Sequence, residues 1–469
     1  MFGPIVRDIV KLGWPVLIAQ VAVMINGVID TVMAGRLSAA DLAAVGIGAS
    51  IYISIFVTLM GVLIALTPVV AQLFGVGRLH EIGEEVRQSL WLGIFLTSVA
   101  FVLIYFPDPF LALAQVAPEV EVKTRSYLRT IALGVPAMLM FRVLYSFSTA
   151  VSKPRVIMVL NLVGLALKVP LNLVFMYGNL GAPALGGPGC AVSTSIIAWT
   201  TAIAGWAYCA SNSSYRPYGV FSRWSWPNWG EQLRLLQIGL PIGLTFLVDV
   251  TSFTFMALFI ARLGTVSSGG HQIASNLTAL AYMLPLAMAS ASGVLVGQAI
   301  GAGDMHRARL TGLMGIGGGF CIACGVGIAI WLGRDMIAGL YASDRDVSAV
   351  AATLLAFVAF YHLFDATSAV AVSALRGYKK TVVPMIGNII ALWGIGMGGG
   401  YVLAFGHAGR PPMGAPGFWV AATVGMLIGS LLSSLYFLLV SRVSEQPGAP
   451  PASRCQPRSA RLAVQPNGR

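Results

Sequence analysis

The chain has 469 residues, of which 57% are hydrophobic and 10% charged, with a net charge of +12. So few charges cannot clothe a soluble globule, which places the chain in a bilayer. The basic excess is spread over loops between apolar runs rather than gathered on one polar face, which argues against a nucleic-acid-binding surface.

Apolar windows of about 20 residues, enough to cross roughly 30 Å of hydrocarbon, recur along nearly the whole chain. They predict twelve spans near 10–35, 44–74, 88–107, 126–149, 154–178, 188–210, 235–261, 272–301, 310–333, 347–375, 381–405 and 416–441. Lipid offers no partners to open backbone groups, and the runs are too long for barrel strands, so the expected fold is all-α. The opening MFGPIVRDIVKLGWPV has no small-residue cleavage site after a short apolar core and reads as a retained first helix.

In chain order, the first span carries Asp30 in GVIDTVMAG, with Asn26 one turn earlier on the same face. The fifth carries Lys168, about ten residues from either boundary and beyond snorkelling reach, with Asn172 four residues on. The seventh carries Asp249 in FLVDVTSF; the tenth carries Tyr361, His362 and Asp365, which share one helix face. A carboxylate at membrane depth costs at least a few kcal/mol, so it normally faces a wet cavity and handles protons, ions or charged substrates. Lys168 needs an anionic partner. Carboxylate and phenol oxygens at Asp249, Tyr361 and Asp365 suit Na⁺, whereas a desolvated aspartate suits proton exchange; the residues alone leave both open.

Other features read as structural. Cys321 and Cys324 form a lone CxxC in the ninth span, expected to pack in the core. Gly75, Gly77, Gly301 and Gly303 mark tight turns, since no strand precedes them and no Lys-Ser/Thr follows. Pro136, Pro170, Pro241, Pro285, Pro384 and Gly398 to Gly400 are expected bending points. No Walker motif or nucleophile constellation points to an ATP-driven pump or an enzyme.

Lys153 and Arg155, then Arg216, Arg223 and Arg234, then Arg307 and Arg309, then Arg376, Lys379 and Lys380 fall in alternate loops, and Arg442 follows the last span. By the positive-inside rule those loops and both termini are expected to be cytoplasmic. Shifted by 226 residues, 13–80 aligns with 239–306 without a gap, and QLFGVGRLH meets QAIGAGDMH. GGPGCAVST likewise resembles GAPGFWVAAT. Six helices is an even number, so both halves insert the same way up, related by an axis along the membrane normal. The expected domains are a six-helix lobe over 1–210, a cytoplasmic linker over 211–234, a second six-helix lobe over 235–442 and a disordered tail over 443–469.

Taken together, GVIDTVMAGRLSAADLAAVGIGASI, TPVVAQLFGVGR, KVPLNLVFMYGNLGAPALGGPGCAVST, HQIASNL, FDATSAVAVSALRGYKK and MGAPGFWV resemble the multidrug and toxic compound extrusion (MATE) transporters, in particular their NorM-like bacterial branch, over about residues 8–442. The resemblance implies a monomeric, twelve-helix, multi-pass transporter of the bacterial inner membrane. It would expel cationic drugs in exchange for H⁺ or Na⁺ and use no cofactor. By position, Asp30 corresponds to the first-helix carboxylate implicated in proton coupling and drug binding, and Asp365 with Tyr361 to the second-lobe cation site. Asp249 stands where the family usually has Glu, and Lys168 where many relatives have Asn. An Asp30–Lys168 pair is the expectation that follows. A lipid-linked glycan flippase of related architecture is the alternative, with Lys168 and Arg142 as its footing.

Overall fold

A computed structural model describes residues 2–114, 117–406 and 411–445. Among them there is no strand. The first lobe comprises α1 (Phe2–Leu37), α2 (Ala39–Leu63), α3 (Leu66–Gly75), α4 (Leu79–Tyr105), α5 (Asp108–Ala114), α6 (Pro118–Ala132), α7 (Val135–Ala150), α8 (Arg155–Phe175) and α9 (Gly189–Ser211). The second comprises α10 (Trp229–Ala261), α11 (Thr265–Gly301), α12 (Met305–Tyr341), α13 (Arg345–Gly377), α14 (Val382–Ile389), a π-helical stretch (Ile390–Gly399), α15 (Gly400–Phe405) and α16 (Ala415–Glu445). Among the described residues eleven helical units are long and apolar enough to span a bilayer, and the bent pair α6–α7, taken as one span, makes twelve.

Local chemistry explains the breaks. Between α1 and α2 only Ser38 intervenes; its hydroxyl accepts from the Asp41 amide and caps α2. Pro136 has no N–H to give, and its ring crowds the carbonyl four residues back, so α6 and α7 part at Leu133–Gly134 with a 48° bend. Around GIGMGG the backbone widens into the π-helical stretch that joins α14 to α15. Pro384 lies in the first turn of α14, where a missing N–H costs nothing, so it is a starting residue and not the expected hinge.

Three further expectations change. Cys321 is exposed on α12 and Cys324 is half-buried, so the CxxC faces outward, where lipid meets an apolar thiol as well as a core does. Residues 443–445 continue α16 because Glu445 takes ion pairs from His306 and Arg309; the remainder of the expected tail, 446–469, lies outside the described residues. The linker is docked along α4: Arg87 donates to the Gly219 and Val220 carbonyls, Gln88 to that of Trp226, and Trp91 to that of Ser225. Trp91 also stacks on Trp226.

The lobes join at the end that holds both termini. Gln72 donates to the Gly377 carbonyl and Gln298 to that of Ala150, each at 2.8 Å. These are near-reciprocal contacts under the 226-residue repeat. There α3 crosses the last turns of α11 so closely that a Cβ on Gly75 would lie 2.0 Å from the Gln298 carbonyl oxygen, and one on Gly301 2.0 Å from that of Gln72. Beside them Gln232 binds Gln88, and Arg234 pairs with Glu85. The cross-lobe contacts named above thus gather at the end that holds the termini, while nearer the other end Val23, Val28, Val32, Ile53, Phe255 and Leu280 stand exposed.

Candidate functional site

Asp30 sits seven residues before the end of α1, about 10 Å along its axis. Lys168 of α8 places its Nζ 2.8 Å from Asp30 Oδ2, and Asn172, one turn on, donates from Nδ2 to Oδ1 at 2.8 Å. The i, i+4 spacing of Lys168 and Asn172 is what brings both to one carboxylate. Lys168 is only 1% exposed. A buried ammonium is tolerated only with its protons engaged, and Lys168 also donates to Thr194 Oγ1 and to the Cys190 carbonyl. The Thr194 hydroxyl itself donates a hydrogen bond to the same carbonyl at 2.8 Å. Thr194 was not legible in the sequence as part of this site, because a helical Thr ordinarily bonds backward to its own helix and nothing local marks a lysine beside it.

Asn26 does not join this network. Its Oδ1 and the Oδ1 of Asn172 are buried acceptors with no partner among the described residues. Unfilled acceptors next to a carboxylate offer room for a donor, such as a protonated amine.

In the second lobe, Asp249 Oδ1 accepts from Asn388 Nδ2 of α14 at 2.7 Å. The first and second lobes therefore use the same device, an acid on the opening helix held by an amide from the fifth span. Depth differs: in the repeat frame Asp249 matches Val23, seven residues or about 10 Å nearer the termini than Asp30. Asn388 went unrecognised because the repeat frame sets it ten residues from the match of Asn172, and its only mark is polarity in an apolar run.

Asp365, Asp249, Tyr282 and Tyr361 lie within electrostatic range of one another. Among the described residues no hydrogen bond links Asp365 to Tyr361 or His362. Tyr361 packs edge-on against Phe253 and Trp419. His362 is fully buried, and among the described residues neither ring nitrogen has a hydrogen-bond partner. No group of three or more His, Cys, Asp or Glu side chains is poised for a metal ion among the described residues. Asp249, Asp365 and the two phenols bring oxygen atoms to this region, beside the Asn388 amide.

Residues 15–174 and 241–402 match the MatE family, in two copies whose starts are 226 residues apart. The chain is 41% identical to a probable multidrug resistance protein NorM of Aromatoleum aromaticum, over 92% of this chain and 93% of that one. It is 38% identical to the multidrug resistance protein PmpM of Pseudomonas aeruginosa, over 90% and 88%. Among solved structures, the eukaryotic MATE transporter AtDTX14 superposes with a TM-score of 0.85 at 18% identity, covering 94% of this chain and 98% of that one. The Vibrio cholerae MATE transporter VcmN in its bent form gives 0.82 at 20% identity, covering 94% and 98%.

Proposed function

Because the chain belongs to the MatE family, we propose that it is a multidrug efflux transporter that exports organic cations in exchange for H⁺ or Na⁺ by alternating access. The observation that carries this reading is Asp30: a carboxylate inside the membrane span, anchored by Lys168 and Asn172 and bordered by two unfilled acceptors. Export fits the names of relatives at 36–41% identity, which are called multidrug resistance proteins. Lys168 is already neutralised by Asp30, so it no longer supports the flippase alternative.

In the proposed cycle the basic loops hold the terminus-bearing end in the cytoplasm of a bacterial inner-membrane protein. In this cycle the contacts at that end seal the space between the lobes from the cytoplasm, so that it faces outward. H⁺ or Na⁺ entering from outside takes the negative charge of Asp30, or of Asp249 and Asp365, and a bound organic cation loses its counter-charge and leaves. The loaded carrier closes, and the seam at Gly75 and Gly301 parts to open inward. Asp249 and Asp365 with the phenols of Tyr361 and Tyr282 supply the oxygen set for Na⁺, or two carboxylates for protons.

The test is drug efflux from proteoliposomes under separately imposed pH and Na⁺ gradients, with wild type, Asp30→Asn and Asp365→Asn. The proposal expects one of the two gradients to drive wild-type efflux and each substitution to cut it at least tenfold. Efflux indifferent to both gradients would contradict exchange.

A further inference from the structure

The bend between α6 and α7 leaves a space that the exchange scheme does not use. Where α6 ends, its last carbonyls are short of intrahelical donors, and α9 supplies side chains to two of the carbonyls there. Ser195 Oγ donates to the Thr130 carbonyl at 3.2 Å, and Trp199 Nε1, one turn on, to that of Leu133 at 3.0 Å. Contact at this point is tight: a Cβ on Gly134 would lie 2.7 Å from Ser195 Oγ. Beside it, an open cavity of about 620 Å³ lies between the end of α6 and α9, with Thr130, Leu133, Ser195, Trp199, Ile203 and Ala204 among its walls.

That volume falls within the range of small-molecule sites, about 300–1,000 Å³. The walls are chiefly apolar, and Ser195 and Trp199 already donate to carbonyls, so the hollow suits an apolar guest better than water. The main neighbours of α9 are α6, α7 and α8, which puts the hollow on the flank of the first lobe, where Leu133, Trp199 and Ile203 stand exposed. Its wall runs from Val192 to Ala204. That is about 18 Å along the helix axis, close to the half of a roughly 30 Å hydrocarbon core that one leaflet fills.

A cation stands next to the hollow. Arg129 immediately precedes Thr130, is exposed, and lies 5.6 Å from the ring centroid of Tyr105, the last residue of α4. Because α4 starts beside the seam at the termini, Tyr105 and the exposed Phe106 mark the membrane interface opposite them. Among the described residues Arg129 makes no ion pair and no hydrogen bond. Asp108 lies within its electrostatic range, but Asp108 and Glu121 are both paired with Arg125.

We propose that this hollow is a phospholipid site: an acyl chain from the leaflet opposite the termini fills the space beside Trp199, and the lipid phosphate meets the Arg129 guanidinium. The planar fork of an arginine suits phosphate oxygens, and the chain supplies the packing that the walls lack. The bound lipid braces the α6–α7 bend.

The experiment titrates phosphatidylglycerol into the delipidated full-length protein in a non-ionic detergent and follows retained lipid by native mass spectrometry. Diacylglycerol with the same chains is the probe without phosphate. Wild type should hold phosphatidylglycerol about tenfold more tightly than diacylglycerol, as expected for a charge-assisted contact. Thr200→Trp puts an indole into the hollow from an exposed wall position and should weaken both lipids about tenfold. Arg129→Gln should weaken phosphatidylglycerol alone, and Arg129→Lys should keep part of the preference; an unchanged Tm without lipid shows that each variant is folded. Retention in Thr200→Trp equal to wild type would overturn the site and leave only bulk lipid around the helices. Equal wild-type affinity for the two lipids would overturn the phosphate contact at Arg129. Displacement of phosphatidylglycerol by a cationic dye that the protein exports would assign the hollow to the exported substrate and overturn it as a lipid site.

Discussion

Lys168 and Asp30 set the terms of the first-lobe site. With Lys168 1% exposed, removal of its charge leaves Asp30 with one amide partner and a solvent-poor environment. Lys168→Met should therefore destabilise the protein by about 3 kcal/mol, the low end for a broken buried pair because the Asp30 side chain keeps 15% of its exposure. The double variant Asp30→Asn/Lys168→Met, with no orphaned charge, should recover most of that loss in thermal unfolding of the detergent-solubilised protein. A double variant no more stable than Lys168→Met would mean that the two residues are not coupled. All three acids were legible in the sequence as carboxylates at membrane depth, because an acid in an apolar run has few bland explanations. The pairing of Lys168 with Asp30 was legible too, but Asn388 and Thr194 were not. An Asn or Thr in a membrane helix has many local uses, and only tertiary packing decides that Asn388 meets Asp249 and Thr194 meets Lys168.

In the proposed cycle the lobes move relative to one another, and the seam between α3 and α11 is the contact that would part. A side chain at Gly301 would run into backbone, the Gln72 carbonyl, so neither rotamer choice nor a flexible neighbour relieves it. Gly301→Val is expected to force the seam apart, raising amide hydrogen exchange over 72–78 and 298–303. Gly317→Val on α12, which meets open space, serves as the control and should leave that exchange unchanged. Equal protection in wild type and Gly301→Val would show that the seam tolerates the bulk. The repeat made this element visible as QLFGVGRLH and QAIGAGDMH, and Gly77 and Gly303 do take the positive φ of tight turns. What the repeat could not convey is that Gly75 and Gly301 mark the place where the two copies touch each other. Helix bends were legible in part: Pro136 marks the break before α7 and Gly398 to Gly400 end a π-helical stretch, whereas Pro384 merely starts a helix.

For the whole molecule, the energetics favour acids in both lobes. Each charge carried inward through 100 mV yields about 2.3 kcal/mol, and one pH unit about 1.4 kcal/mol. Exchange of one proton for one monovalent cation moves no net charge, so only the pH difference would help. Hundredfold export then costs roughly 2.7 kcal/mol, more than one pH unit supplies. Two ions per drug would suffice, one at Asp30 and one at Asp249 and Asp365. A reversal-potential measurement in proteoliposomes should give that two-to-one ratio, and a value of one would confine coupling to a single lobe. Twelve spans, two lobes and the repeat were all legible because the bilayer imposes length and period on the sequence. The docked linker was less so, since Arg87, Gln88 and Trp91 lie within or beside an apolar run and reveal their partners only once α4 is placed against 219–226.

Competition of coupling ion and exported cation for the same carboxylates is the central claim. Its most direct measurement is the number of H⁺ or Na⁺ ions released when a cationic drug binds the purified protein, followed in weakly buffered solution with pH- and Na⁺-sensitive probes. The account predicts release of at least one ion per drug bound, abolished when Asp30, Asp249 and Asp365 are all changed to Asn. Drug binding with no ion release, at an affinity independent of pH and Na⁺, would contradict it.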